Sequence, residues 1–158
     1  MKNFKLLSGF IKKSQTNQIE NRTDIPTPIS FEPMRVNRFL VTFPGSFNIS
    51  PYFVRQTDRP SMRIGPHGHY EWNDIEMTLY DPISPSMSQN IYQLIDSNLI
   101  TQPMTFLIQM LDPIGVVVSE WSIWGTVSSI DYGVLDYSDD STAEIKIKIS
   151  VSNAVLNF

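Results

Sequence analysis

Residues 143–151 read Ala-Glu-Ile-Lys-Ile-Lys-Ile-Ser-Val, and apolar residues alternate with polar ones along the stretch. A period of two is expected for a β-strand with one face on a core and the other in water. The positions that should face the core are Ile145, Ile147 and Ile149. The positions that should point away from it are Glu144, Lys146 and Lys148. This strand predicts a β-sheet protein and orients the rest of the sheet.

Six further stretches are rich in β-branched and aromatic residues and are bounded by Pro, Gly, Asp or Ser, as strands are. They are residues 36–43, 52–58, 72–80, 104–111, 116–124 and 126–132. A short turn at Gly125 is expected to separate the last two. The sequence Asp-Pro-Ile-Gly at 112–115 suits a type I turn and joins two of them in a hairpin. Residues 59–70 contain two prolines and two glycines and predict an irregular loop. Further core anchors are expected at Phe39, Trp72 and Ile75.

One helix is predicted after the third of these strands. Ser84 is a suitable N-cap, with Pro85 at the first helical position. An apolar stripe follows at helical spacing, formed by Met87, Ile91, Leu94 and Ile95 and ending at Asn98. Six or seven strands with a single helix predict a mainly β fold of two packed antiparallel sheets, sandwich or barrel-like, with one flanking α-helix.

The length of 158 residues fits one domain preceded by an arm. Residues 1–30 contain a polar run at 14–24, and Pro26 and Pro28 favour an extended linker. We therefore assign 1–30 to an N-terminal arm and 31–158 to the β domain. The arm reads as a mobile tail, a docking helix for a partner or a membrane-surface helix. No apolar run approaches the ~20 residues that span a bilayer, and Met1–Lys13 has scattered lysines where a signal peptide would need an unbroken apolar centre. Neither a membrane-spanning segment nor a secretory signal is therefore expected, and no membrane is among the expected partners.

Charge is distributed unevenly along the chain. Residues 1–24 hold five basic and two acidic side chains, whereas 25–158 hold seven basic and fourteen acidic ones. Between Ile64 and Glu144 there is no Lys or Arg, but there are twelve Asp and Glu. Phosphate groups would be repelled by such a surface, which argues against tight nucleic-acid binding by the β domain.

The sequence gives little support to catalysis or metal binding. His67 and His69 are the only histidines, cysteine is absent, and zinc generally requires three or four protein ligands. No nucleophile-elbow pattern surrounds any serine. A calcium site or a carboxylate pair for acid–base catalysis could be read in Asp131, Asp136, Asp139, Asp140 and Glu144. These residues lack the spacing of an EF-hand loop, glycosidase carboxylates cannot be assigned from proximity in sequence, and a solvated turn suits them better. We expect no enzymatic activity, no cofactor and no metal.

Two tryptophans point towards assembly. Trp121 and Trp124 lie three residues apart, so a regular strand would place them on opposite faces. One of them must then find cover outside the core, and an exposed tryptophan often marks a neighbouring subunit. Open sheet edges at 52–58 and 104–111 are further candidates for strand pairing between subunits.

Over most of residues 36–151 the chain resembles the tail tube proteins of contractile-tailed bacteriophages, whose fold is shared with the tubes of type VI secretion systems and R-type bacteriocins. The resemblance lies in the order and spacing of six short motifs. They are Asn37-Arg38-Phe39-x-Val41, Arg59-Pro60-Ser61, Trp72-x-Asp74-Ile75-x-Met77-Thr78-x-Tyr80-Asp81, Trp121-x-Ile123-x-Gly125, Ile130-Asp131-Tyr132-Gly133-x-Leu135-Asp136-Tyr137 and Glu144-Ile145-x-Ile147-x-Ile149.

This resemblance implies a subunit of six-membered rings that stack into the inner tail tube, with sheath and baseplate proteins as partners. Phage DNA would pass through the lumen without specific binding. The protein would then be found in the virion tail after assembly in the bacterial host cytoplasm. A baseplate or tube-end component of the same fold is the alternative. A monomeric carbohydrate- or peptide-binding β-sandwich comes next, and a hydrolase last.

The resemblance also suggests roles for individual residues. A long loop that reaches the adjacent ring would contain Arg59, Pro60, Arg63, Ile64, His67, His69 and Tyr70. Residues that would face the channel or a neighbouring subunit are Glu144, Lys146, Lys148, Asp139 and Asp140.

Overall fold

Eight β-strands and one α-helix form within residues 34–158, the part of the chain described by this computed structural model. The predicted arm, residues 1–30, lies outside the described residues. The elements in chain order are β1 (Phe39–Thr42), β2 (Val54–Thr57), β3 (Met62–Ile64), β4 (Tyr70–Trp72), β5 (Ile75–Tyr80), α1 (Met87–Asp96), β6 (Met104–Leu111), β7 (Val117–Asp131) and β8 (Glu144–Leu156). Short 3-10 turns occur at Gly45–Phe47, Pro51–Phe53 and Pro66–Gly68.

Six strands form one antiparallel sheet in the order β1-β6-β7-β8-β5-β2, while β3 and β4 form a separate hairpin. The large sheet curls until its two edge strands approach each other. Phe39 of β1 and Gln56 of β2 accordingly line the same groove. The predicted mainly β fold with antiparallel sheets and one flanking helix is confirmed. The large sheet takes the barrel-like form.

The interior of this curled sheet holds the hydrophobic core. The alternation along β8 buries Ile145, Ile147 and Ile149, and Ile75 of β5 lies directly opposite Ile149. Phe39 and Trp72 are partly buried and pack against this core. The α1 stripe closes the core with Met87, Ile91 and Leu94, all of which are buried.

The strands predicted at 116–124 and 126–132 are one continuous strand, β7, and the turn expected between them is wrong. Gly125 lies inside β7 at a register shift against β8. A Cβ at Gly125 would lie 2.7 Å from the Ser150 carbonyl oxygen and 2.8 Å from Ile149 Cγ2. The glycine therefore allows β8 to approach closely at a bulge, and it does not mark a turn.

The segment 59–80 also differs from the prediction. Residues 59–70 are largely ordered as the β3–β4 hairpin, and the strand expected over 72–80 is split into β4 and β5. The split occurs at Asn73, whose backbone N–H donates to the Ser61 carbonyl (2.9 Å) and whose side-chain amide donates to Ser61 Oγ (3.0 Å). These bonds close the base of the hairpin, which cannot be read from local sequence.

The helix begins at Met87, two residues later than predicted, with Ser86 as its N-cap. Ser86 Oγ accepts from the Gln89 N–H (3.3 Å), while Asp81 Oδ1 accepts from the N–H groups of Met87 (2.9 Å) and Ser88 (3.2 Å). The Ser88 hydroxyl also donates to the Asp81 carboxylate. Three of the orphan donors of the first turn are thereby satisfied, which fixes the start of the helix.

Candidate assembly surfaces

The β3–β4 hairpin has one apolar and one charged face. Antiparallel register places Met62 opposite Trp72 and Ile64 opposite Tyr70, so these four side chains share a face. Arg63 lies opposite Glu71 on the other face. The apolar set arises from residues in two short strands that the sequence does not mark as paired.

The apolar face of the hairpin is anchored at its base and open at its tip. Trp72 packs edge to face on Trp121 of β7, with ring centroids 6.3 Å apart, and Tyr70 packs edge to face on Trp72 at 6.4 Å. Towards the tip, Ile64 is 73% exposed and Tyr70 is 56% exposed. Arg59, Arg63, His67 and His69 are exposed as well, and Pro60 is half-buried. The hairpin is therefore fixed to the sheet at its base, and its apolar tip is exposed.

A ladder of ion pairs crosses the outer face of the large sheet, opposite the core. Lys148 Nζ lies 3.3 Å from Asp74 Oδ2, and Lys146 Nζ lies 3.9 Å from Glu76 Oε1. At the start of β8, Glu144 pairs with Arg55 of β2. Each of the three cations on this face, Arg55, Lys146 and Lys148, is thus paired with a carboxylate.

Asp139 and Asp140 lie apart from this ladder, in the loop of residues 132–143 between β7 and β8. Asp136 Oδ1 accepts from the N–H (2.9 Å) and hydroxyl (2.7 Å) of Ser138. Asp139 Oδ1 accepts from the Ser141 N–H (2.9 Å). These bonds lower the pKa of both carboxyl groups below its ordinary value, with the bond from the backbone N–H as the largest cause. The loop therefore keeps negative charge in water.

The same loop exposes large apolar side chains. Three of its residues are more than 90% exposed: Val134, Leu135 and Tyr137. Val134 and Leu135 line a groove of about 490 Å³ together with Arg55 and Glu144. Exposed apolar clusters of this kind mark contact surfaces more often than isolated exposed residues do.

The large sheet has two open edges among the described residues, β1 and β2. Each is only four residues long, and each pairs with one neighbour in the sheet. By contrast, β6 is an inner strand of the sheet: β7 pairs with it along its length, and β1 pairs with its residues 107–110. The predicted pairing of 104–111 with another subunit is therefore wrong, whereas 52–58 does contain an edge strand.

The histidine pair sits at the hairpin turn. His67 has a left-handed backbone (φ 63°), and His69 Nε2 lies 3.6 Å from Glu71 Oε1 at an exposed site. Within residues 34–158 no group of three or more metal-ligating side chains comes together. In the same residues no helix is long and apolar enough to cross a bilayer.

The structure confirms one prediction about the tryptophans and adds a contact and a surface residue that were not predicted. Trp121 was predicted to lie opposite Trp124, and it does: Trp121 packs on the core while Trp124 is exposed. The contact of Trp121 with Trp72 was not predicted, because it joins distant segments. The exposure of Val134 was not predicted either. Its position in a loop rich in turn-forming residues could have indicated an exposed apolar side chain.

Solved structures share this arrangement. No protein-family model matches the sequence, and no curated protein matches it either. A chain from the sheath–tube complex of the PVC extracellular contractile injection system in its extended state superposes with a TM-score of 0.61 at 11% identity, covering 85% of this chain and 97% of that one.

Two further structures give similar values. The SPP1 tail tube superposes with a TM-score of 0.56 at 12% identity, covering 79% of each chain. A chain of the anti-feeding prophage baseplate superposes with a TM-score of 0.55 at 14% identity, covering 79% of this chain and 95% of that one. The curled six-stranded sheet, the flanking helix and these superpositions show that the chain has the tail-tube fold.

Proposed function

We propose that this protein is a structural, non-catalytic subunit that forms six-membered rings and that these rings stack into the inner tube of a tail. The observation that carries the proposal is the β3–β4 hairpin, which Trp72 anchors to the sheet while Ile64 and Tyr70 stay uncovered at its far end. Leaving such side chains in water is unfavourable, at roughly 25 cal/mol per Å² of apolar surface. A neighbouring ring would remove that cost.

Lateral contacts within a ring would use the open strands β1 and β2. Both present unpaired backbone groups on their outer side, and both are short. A strand edge pairs readily with a strand from another chain. When such a contact is head-to-tail and its rotation closes, the product is a ring.

A lumen lined by the ion-pair ladder would suit the passage of DNA. Protein–DNA affinity depends on cations that neutralise phosphates, and each such contact must be broken for the DNA to move. Arg55, Lys146 and Lys148 already have carboxylate partners, so they offer little to a passing phosphate. Asp139 and Asp140 would then face a neighbouring subunit at the rim.

In this role the protein belongs in a virion tail that is built in the bacterial cytoplasm. Its partners would be further copies of itself, a sheath and a baseplate, with phage DNA passing through and no membrane contact. A baseplate or tube-end component is the second candidate, because one of the superposing chains comes from a baseplate. Such a component would form rings that do not stack.

Negative-stain electron microscopy of the full chain tests the proposal. We expect hollow tubes, or stacked rings, whose formation is lost in the variant Ile64→Asp. The matched control is Ile114→Asp in the β6–β7 turn, where the isoleucine is 84% exposed, against 73% for Ile64. Unstacked rings would favour the second candidate, and a monomer at high concentration would refute both.

The passage of DNA is tested separately. Assembled protein should retain double-stranded DNA weakly in a filter-binding assay at physiological salt. Replacing Asp74 and Glu76 with Asn and Gln removes the partners of Lys148 and Lys146, so retention should increase. Equal retention before and after the replacement would show that this face does not meet DNA.

A further inference from the structure

The β3–β4 hairpin and the loop 132–143 lie at opposite ends of the sheet. In the pairing of β5 with β8, Ile75 lies opposite Ile149 and Tyr80 lies opposite Glu144. The hairpin enters β5 at Ile75, whereas the loop enters β8 at Glu144. Five residues of strand separate these two levels, which is about 17 Å at 3.3 Å per residue.

The two ends carry opposite charge. Arg59 and Arg63 belong to the hairpin segment 59–72, are exposed and outnumber its single carboxylate, Glu71. The loop 132–143 contains Asp136, Asp139 and Asp140 and has neither Lys nor Arg. Attraction between charges of opposite sign steers association and fixes the orientation of partners.

The two ends also match in their apolar residues. The hairpin tip exposes Ile64 and Tyr70. The loop exposes Val134, Leu135 and Tyr137, and the first two of these line its groove of about 490 Å³. Each set is too exposed to contribute to the core of its own subunit. An apolar centre with charged residues at its margin is the usual composition of a protein–protein contact.

We propose that the loop 132–143 and its groove are the docking site for the β3–β4 hairpin of a second copy of this chain. The inference rests on the proposed stacking function and specifies which surface receives the hairpin. Because the two surfaces differ and lie at opposite ends, the contact is head-to-tail and repeats without closing. Such a contact extends a tube one ring at a time and gives it a direction.

Disulfide trapping tests the contact directly, since the natural chain contains no cysteine. The double variant Ile64→Cys/Val134→Cys should form a ladder of disulfide-linked multimers when the assembled protein is oxidised. Each single variant should form no ladder. The control Ile64→Cys/Ile114→Cys carries its second thiol in the β6–β7 turn, at the hairpin end of the sheet, and should form no ladder. Ile114 is 84% exposed, so its thiol would be as free to react as one at Val134.

A charge exchange tests the same contact without cysteines. The variant Asp140→Lys/Thr142→Lys leaves the hydrogen bonds of Asp136 and Asp139 intact while adding positive charge to the loop. We expect it to raise the protein concentration needed for assembly about tenfold, as like charges then face each other. Combining it with Arg59→Glu/Arg63→Glu should restore most of the loss.

The outcomes separate this inference from the proposed function. A ladder limited to the Ile64/Val134 pair, with restoration by the charge exchange, supports the docking site. If electron microscopy shows tubes but the Ile64/Val134 variant forms no disulfide ladder, the docking site is overturned and the stacking function still holds. Dominant dimers of the single Ile64→Cys variant would indicate hairpin-to-hairpin contact and also overturn it. Absence of both rings and tubes refutes the proposed function itself.

Discussion

Trp72 and Trp121 meet edge to face, with ring centroids 6.3 Å apart and ring planes at 79°. Trp72 ends the small hairpin and Trp121 lies in the long strand β7, so this contact fastens the projecting hairpin to the main sheet. Edge-to-face aromatic pairs stabilise by about 0.5–1.5 kcal/mol beyond the area they bury. Trp121 Nε1 is buried without a hydrogen-bond partner among the described residues. The fastening is therefore aromatic and apolar.

The variant Trp72→Ala should loosen the hairpin. We expect a loss of about 2–4 kcal/mol in the free energy of unfolding, because a large, partly buried aromatic side chain is removed. Backbone amides of residues 62–72 should exchange faster with solvent. Urea unfolding and hydrogen exchange measure the two effects. The control Trp124→Ala removes an exposed tryptophan from the other face of β7 and should leave hairpin exchange unchanged.

Gly125→Ala should destabilise the protein through a backbone clash. The new Cβ would lie 2.7 Å from the Ser150 carbonyl oxygen, so β7 and β8 would have to separate locally. Overpacking of this kind typically costs about 1–3 kcal/mol. Gly45→Ala is the matched control, because no heavy atom lies within 4 Å of its Cβ position. A similar loss in both variants, measured by thermal unfolding, would contradict the role of close approach.

The alternation along β8 predicts a large difference between adjacent positions. Ile147 is 1% exposed, so Ile147→Ala should lower the free energy of unfolding by about 2–5 kcal/mol. Lys146→Ala removes an exposed pair with Glu76 and should cost no more than about 1 kcal/mol. Urea denaturation of the two variants side by side gives the comparison. Equal losses would show that β8 is not oriented as described.

The Asp136 and Asp139 carboxyl groups should titrate below the ordinary value of 3.8. Their pKa values are lowered in the folded state, so the loop turns gain from the charged form above that value. The gain is lost as pH falls through the lowered pKa values. Carbon-detected NMR titration of the side chains measures this.

Serine substitutions separate the two carboxyl groups in the same titration. Ser138→Ala removes the hydroxyl bond and should raise the Asp136 pKa part of the way towards 3.8, because the backbone bond remains. Ser141→Ala should leave Asp136 unaffected and so serves as its control. An Asp136 pKa that moves equally in both variants would contradict the separate turns.

Patterns within one element were predictable from the sequence. The period of two in residues 143–151 and the stripe Met87, Ile91 and Leu94 each report a single element meeting a core, and each was recovered. The predicted ends of helices and strands were less accurate. The helix start depends on Asp81 and Ser86 acting together, and Asp81 lies outside the local capping pattern.

Errors arose where one residue type serves two purposes. Gly125 between two β-prone runs was interpreted as a turn, because glycine favours turns, yet here it permits close approach of β8. The loop 59–70 was interpreted as irregular because of its prolines and glycines, although its ends pair as β3 and β4. In both cases the deciding partner lies far along the chain.

The sequence by itself determined the β character, the orientation of β8, the apolar face of α1 and the separation of charge along the chain. These depend on residues a few positions apart, whose spacing fixes which side of an element is apolar. Only the tertiary structure decided that β7 is continuous, that β1 and not 104–111 is the second open edge, and that Trp72 meets Trp121. Those features depend on strand pairing between distant segments, where many registers satisfy the same local pattern and packing of the whole core selects one.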